Sequence, residues 1–329
     1  MLQGLRALTT QNWRRLKTEL QTYAALRGRA SVRLADFLHD QALELEDVYR
    51  AGTGQGRSGW TALKRDAGLI VAEPGPEEDY FSRRFGDLLH VDDPKRLDGM
   101  AAVGARSRRP PALDAKDALG VQMLAYQIDG RHEQAAGHDA FIERVERHPA
   151  IAAELVELSG LLQARSTLSA KAVPGLEDTP LCLHAAYGAR EVLTAVGWLT
   201  AARRAPFQAG VLPLTSRKTE LLFVTLDKSE GYHDRIAYHD YAISAERFHW
   251  QTQNSAGPDT PGGRRYLESS TNGWQFQLFV RPCKGDAYRA CGRVMQESAE
   301  GDRPMSIVWH LQTPLPARLF REFSVLRGA

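Results

Sequence analysis

Through the first half of the chain, apolar residues recur every three to four positions, the spacing that buries one side of a helix. Trp13, Leu16, Leu20 and Tyr23 mark a first helix, with Thr9 or Thr10 placed to cap it. Ser31 stands before a second that would bury Leu34, Phe37 and Leu38. Ser58 stands before a third carrying Trp60 and Leu63, with Gly68 as its stop. Tyr80, Phe81, Phe85, Leu88 and Leu89 predict a fourth, ended by Asp92, Asp93 and Pro94. Arg106 to Pro111 reads as an exposed connection. Helical spacing resumes with Leu119, Met123 and Tyr126, then Phe141, Ile142 and Val145, then Ile151, Leu155, Leu158 and Leu162.

Near Pro174 and Gly175 the period changes. One more helix is expected from Arg190 to about Leu199, burying Val192, Leu193 and Val196. Beyond it apolar residues alternate, as in strands: Leu222, Val224 and Leu226; Trp274, Phe276, Leu278 and Val280; Met305, Ile307, Trp309 and Leu311. The pattern predicts an α+β protein: an N-terminal helical domain, residues 1–172, then a β-rich domain, 173–329, built as an antiparallel sheet or small barrel.

Composition narrows the function classes. A chain of 329 residues with 43% hydrophobic and 25% charged residues is an ordinary globular protein with room for two cores. A net charge of +2 provides no global field for nucleic acid, so a binding face must be local. Arg outnumbers Lys in the second half, which suits forked contacts to phosphate or base edges and equally follows from genomic base composition. Cys182, Cys283 and Cys291 form no CxxC, which argues against a disulfide framework and a zinc ribbon and fits a reducing cytoplasm. The start is amphipathic, with no secretory leader expected, and no apolar run approaches the ~20 residues that span a bilayer. A cytoplasmic protein without a membrane partner is expected.

The densest chemistry lies in YHDYAISAERFHWQTQN, Tyr238 to Asn254, followed by GGRRY, Gly262 to Tyr266. Tyr241, His249, Trp250 and Tyr266 offer rings for base stacking, and Gln251 and Gln253 offer paired donors and acceptors for base edges. Arg264, Arg265 and Arg281 offer phosphate contacts. A hairpin with one buried aromatic face explains the same residues, and both readings stand open. Alternation places Trp250, Thr252 and Asn254 on one face and His249, Gln251 and Gln253 on the other. With polar groups on both, a wholly buried strand is not expected.

These motifs occur in order with TLDKSE (Thr225 to Glu230), QLFVRP (Gln277 to Pro282) and GDRPMSIVWHLQTPLP (Gly301 to Pro316). Together with LCLHAAYGAREVLTAVG (Leu181 to Gly197) they resemble an uncharacterised domain family at the C-terminal end of bacterial superfamily-two DEAD/DEAH-type helicases. Weaker similarity extends through NWRRLKTEL, LADFLHD, SGWTALKRDAGL and DLLHVDD. Such helicases often carry a phospholipase-D-like nuclease module and resemble restriction or phage-defence proteins. The resemblance implies a DNA partner and a separate helicase or nuclease subunit, and no defined activity. Gly188-Ala189 departs from the hydroxyl residue and Arg expected at the start of the following helix; Gly188 can still cap, and Arg190 can replace the charge.

The chain has no phosphate loop, DExH-like box, GxSxG, HExxH or HxK repeat, so no motor of its own is expected, and no cofactor. Glu220, Asp227, Glu230, Asp234 and Asp240, with Lys218 and Lys228, are the candidates for a metal-dependent nuclease site. Adjacent Asp227 and Lys228 would face opposite ways on a strand, so salt bridges and turn caps are the simpler account. His184, His233, His239, His249 and His310 lack metal-ligand spacing, and no metal site is expected. His184 and Tyr187 mark a possible groove entry. The ranking is a nucleic-acid-binding module, reading a modified or flipped base; then a nuclease or other hydrolase; then a subunit-contact module.

Overall fold

The computed structural model describes residues 12–28, 32–51, 56–105, 113–130, 137–200, 202–203, 210–227 and 240–324. The chain divides into two compact units, Met1–Ser169 with Leu193–Arg204, and Ala170–Val192 with Ala205–Ala329. The first is helical and the second is built on a sheet, an α+β protein.

The helical unit contains α1 (Trp13–Arg27), α2 (Leu34–Asp40), α3 (Leu45–Arg50), α4 (Trp60–Asp66) and α5 (Glu78–Arg84), the last running into a 3₁₀ turn over Phe85–Leu88. Then come α6 (Pro94–Gly104), α7 (Ala115–Asp129), α8 (His138–Glu146) and α9 (Pro149–Arg165). Nearly all the apolar positions that predicted these helices line one core, Leu119 and Met123 excepted, and within it Phe37 stacks on Trp60 with ring centroids 5.6 Å apart.

Helix starts differ from expectation. Asn12 caps α1, its side chain accepting from Arg15 N at 2.8 Å; Thr9 and Thr10 lie outside the described residues. Ser31 also lies outside them, and Leu34 N at the start of α2 donates to Glu157 of α9. Ser58 does not cap α4. Its hydroxyl donates to Tyr49 O, and the free N–H groups of Trp60 and Thr61 donate to buried Glu154 at 2.9 and 2.8 Å. Asp93 begins a helix instead of ending one: its carboxylate accepts from Lys95 N, with Pro94 in the first turn of α6.

In the second unit, α10 (Ala189–Ala195) follows β1 (Ala186–Tyr187) and leads out of it. Gly188 N donates to Glu191 at 2.6 Å, so an acidic residue in the first turn supports the helix start. The sheet strands are β2 (Val211–Leu214), β3 (Thr219–Asp227), β4 (Tyr241–Ala242), β5 (Arg247–Gln251), β6 (Gln275–Cys283), β7 (Tyr288–Gly301) and β8 (Met305–Leu311). Their order is β2-β3-β6-β7-β8-β5-β4, with β1 added on β7. All pairs are antiparallel except β3 and β6, which are parallel, so the sheet is mixed. The loop after β5 brings the Gln253 amide beside Gly210, just before β2 at the opposite edge, so the sheet curls into a partial barrel.

Leu222 and Val224 of β3, Phe276 and Leu278 of β6, Phe248 and Trp250 of β5, and Ile307 and Trp309 of β8 fill the concave side. It is closed by α11 (Pro261–Leu267) and α12 (Ala317–Phe323), through Tyr266 and through Leu319 and Phe323. β7 serves both halves of the curl: its first part pairs with β6 and its second with β8, with register shifts in each ladder. Gly292 permits the first bend. Its φ is +88°, and a Cβ there would lie 2.7 Å from Leu183.

Candidate nucleic-acid interface

Strict alternation along β5 sorts the aromatic and amide residues onto two faces. Phe248 and Trp250 point into the concave core, followed by buried Thr252; Arg247, His249 and Gln251 point outward. Trp250 is 6% exposed, with Tyr266 edge-on at 5.4 Å and Trp309 at 6.2 Å. The strand is therefore buried on one side only, as the hairpin reading had it, because α11 lays Tyr266 across that face.

The GGRRY segment is also held from within. Tyr266 donates its hydroxyl to Glu220 at 2.8 Å, and Arg265 Nε donates to the other oxygen at 2.8 Å. Glu220 is wholly buried, and the Arg265 guanidinium also lies 5.0 Å over Trp274. Burial, and then the Glu220 charge, hold the Tyr266 phenol far above its ordinary range. The bond to Glu220 raises the pKa of Arg265. The second glycine is a steric requirement: a Cβ at Gly263 would fall 1.9 Å from the Gly257 carbonyl oxygen.

Tyr241, His249 and Gln251 come together on the convex face of β4, β5 and β8. Register fixes three rows. Tyr241, His249, Val308 and Ser298 form one; Gln251, Ser306 and Glu300 a second; Arg247, His310 and Met295 a third. The Tyr241 and His249 rings stack at 5.3 Å with 28° between planes. Rings that stack from neighbouring strands stand on edge above the sheet, so the second face of Tyr241 looks away from β5. Gln251 is fixed beside them: its side-chain amide donates to Ser306 Oγ at 3.2 Å and its backbone N–H to Asp240 at 2.9 Å. Arg247 forms an ion pair with Glu297 at 2.8 Å.

The other candidates stand apart. Gln253 and Arg264 are exposed, on the loop after β5 and on α11. Arg281 lies on β6, with its guanidinium 4.4 Å over the Tyr288 ring. Glu220 and Asp227 sit seven residues apart at opposite ends of β3, roughly 23 Å at the usual strand rise, so Glu220, Asp227 and Asp240 do not converge. Glu230, Asp234, Lys228, His233 and His239 lie outside the described residues. Among the described residues, no three His, Cys, Asp or Glu gather as a metal site would require.

His184 has a left-handed φ of 65°, and its Nε2 is buried without a partner among the described residues. Burial, and then Lys171 and Arg289, push its pKa down to about 4. Nearby, Tyr187 is buried and its hydroxyl accepts from Cys182 N at 2.7 Å, a structural bond within the turn. Sequence reasoning did not single out Tyr288 or Ser306, which hold Arg281 and Gln251; pairing across strands is their only signal.

Residues 181–323 match a family model described as Domain of unknown function (DUF3427). The match spans β1 through α12 and so contains the whole candidate interface. No curated protein matches the chain. Among the described residues, no helix is long and apolar enough to cross a membrane.

Proposed function

We propose that the sheet unit is an accessory nucleic-acid-binding module that receives a base on the Tyr241–His249 stack. The observation that carries this reading is the pair itself: two rings stacked on the convex face, beside Gln251, whose side-chain amide donates to Ser306 and whose backbone N–H donates to Asp240. A base added to the end of such a stack gains about 1–3 kcal/mol, with little dependence on sequence, and Gln251 supplies edge recognition. With Arg247 occupied by Glu297, stacking outweighs phosphate attraction at this spot. The motif resemblance supports the wider setting, a DNA-directed subunit acting with a helicase or nuclease in bacterial restriction or phage defence. Trp250, Tyr266 and Arg265 then serve as scaffold.

The test is anisotropy with labelled single strands and duplexes, with melting followed on the same proteins. Tyr241→Ala should weaken binding by about 1–3 kcal/mol with the melting temperature nearly unchanged. If Tyr241→Ala and His249→Ala bind like wild type, the face is not the site. One observation favours a second reading, a protein-contact surface: Met295, in the third row, is 48% exposed, and Ile243, beside Arg247 of that row, is 44% exposed. Sedimentation with a candidate partner helicase, and loss of the complex in Met295→Glu, would support that reading over the first.

A further inference from the structure

Four arginines of the sheet unit have acids: Arg265 has Glu220, Arg247 has Glu297, Arg217 has Asp178 and Arg303 has Asp259. Arg281 does not. Its Nε donates to Thr225 Oγ1 at 2.9 Å, its Nη1 reaches the Asp286 carbonyl at 3.5 Å, and its plane lies over Tyr288. Among the described residues no carboxylate pairs with it. Asp286 instead turns its carboxylate to Cys283 N at 3.0 Å.

The platform beneath is rigid. Tyr288 is buried and meets Phe223 edge-on at 5.1 Å, and Phe223 stacks on Phe279 at 5.3 Å. Neutral partners fix the guanidinium on three sides and, among the described residues, leave its charge uncompensated and one amino group, Nη2, uncommitted. A half-buried cation is ordinarily paired, so an immobilised one without an acid is organised for an anion from outside. The planar fork matches two oxygens of a phosphate group, and exposed Lys284 at the tip of the β6–β7 hairpin adds charge nearby.

We propose that Arg281, mounted on Tyr288 and Thr225, is an oxyanion site that takes a phosphate group. It is separate from the Tyr241–His249 stack: β7, β8 and β5 intervene between β6 and β4, about 19 Å along the sheet at the usual strand spacing. The phosphate comes either from a free phosphate or nucleotide, or from a phosphodiester backbone.

The full chain is observed by NMR through its arginine Nε–Hε signals, with Arg281 assigned by its loss in Arg281→Lys. Inorganic phosphate and a short mixed-sequence oligonucleotide are titrated separately. The Arg281 signal should shift and saturate with at least one probe, while those of Arg265 and Arg247 stay in place. Response to phosphate alone assigns a free phosphate, and response to the oligonucleotide alone assigns the backbone. Arg281→Lys keeps the charge and loses fork and stack, so affinity for the responding probe should fall by roughly tenfold. Thr225→Val, which removes only the Nε partner, provides a second variant should Arg281→Lys fold poorly. An Arg281 signal unmoved by both probes, or wild-type affinity in well-folded Arg281→Lys, overturns the proposal.

Discussion

The two units bury carboxylates for different purposes. In the helical unit, α9 sends Glu154 and Glu157 to the starts of α4 and α2, where they receive backbone N–H groups. In the sheet unit, Glu220 receives side chains, the guanidinium of Arg265 and the hydroxyl of Tyr266. One set satisfies helix ends whose own residues offer no cap. The other anchors a motif whose residue types look made for a ligand. Residue type alone therefore does not distinguish a contact residue from a scaffold residue; the partner within reach does.

The largest test of that contrast is Trp250→Ala. As core, it should cost about 3–5 kcal/mol in urea unfolding, while the folded fraction binds nucleic acid as wild type does. Lost binding at unchanged stability would return Trp250 to the ligand side. Next is Glu154→Gln. An amide offers one oxygen to two buried N–H groups, so the helical unit should lose about 1–3 kcal/mol, and Glu154→Ala more. Equal loss in both variants would mean that packing, not capping, is what Glu154 supplies.

A smaller effect lies in pH. Burial, and then Arg96, push the pKa of His90 in the helical unit down to about 3, as burial takes that of His184 down to about 4. Both stay neutral in the fold, while the unfolded chain takes up protons near the ordinary value of about 6.5. Their contribution is complete above that value and is lost as pH falls toward about 4 for His184 and about 3 for His90. His184→Asn, which tolerates the left-handed backbone, should flatten this dependence for the sheet unit only. A slope unchanged in that variant would remove His184 from the account. Smallest is Arg264→Ala: exposed and without an ion pair among the described residues, it should alter stability by no more than about 0.5 kcal/mol. A larger loss would place Arg264 with Arg265 in the scaffold.

The α+β class and many of its elements were legible because one face of each is buried, which leaves a period in the sequence. β3, β6 and β8 follow their alternating apolar residues. β7 was not legible: Ala290, Gly292 and Ser298 are small, and two register shifts break its period. The caps from Glu154 and Glu157 were hidden because donor and acceptor lie far apart in sequence. Within the candidate site, alternation correctly separated Trp250 from His249 and Gln251. Which face would be covered depended on α11, and local pattern carries no information about that. The parallel pairing of β3 with β6 was equally hidden, since each strand reads the same whichever way its neighbour runs.

That parallel pair also sets an order of assembly. β6, β7 and β8 are consecutive antiparallel neighbours and can zip through short turns as soon as they are synthesised. β3 must wait. Leu221, Leu222, Phe223 and Val224 are buried on both sides in the finished sheet, yet they leave the ribosome before β4, β5, α11 and β6 have been made. Until β6 arrives, β3 has only the short β2 beside it, and the nascent chain carries an apolar strand with one edge open, of the kind that chaperones bind and that aggregates recruit. Fragments ending before Cys283 should therefore precipitate or remain chaperone-bound, whereas chains extending past β8 should be released.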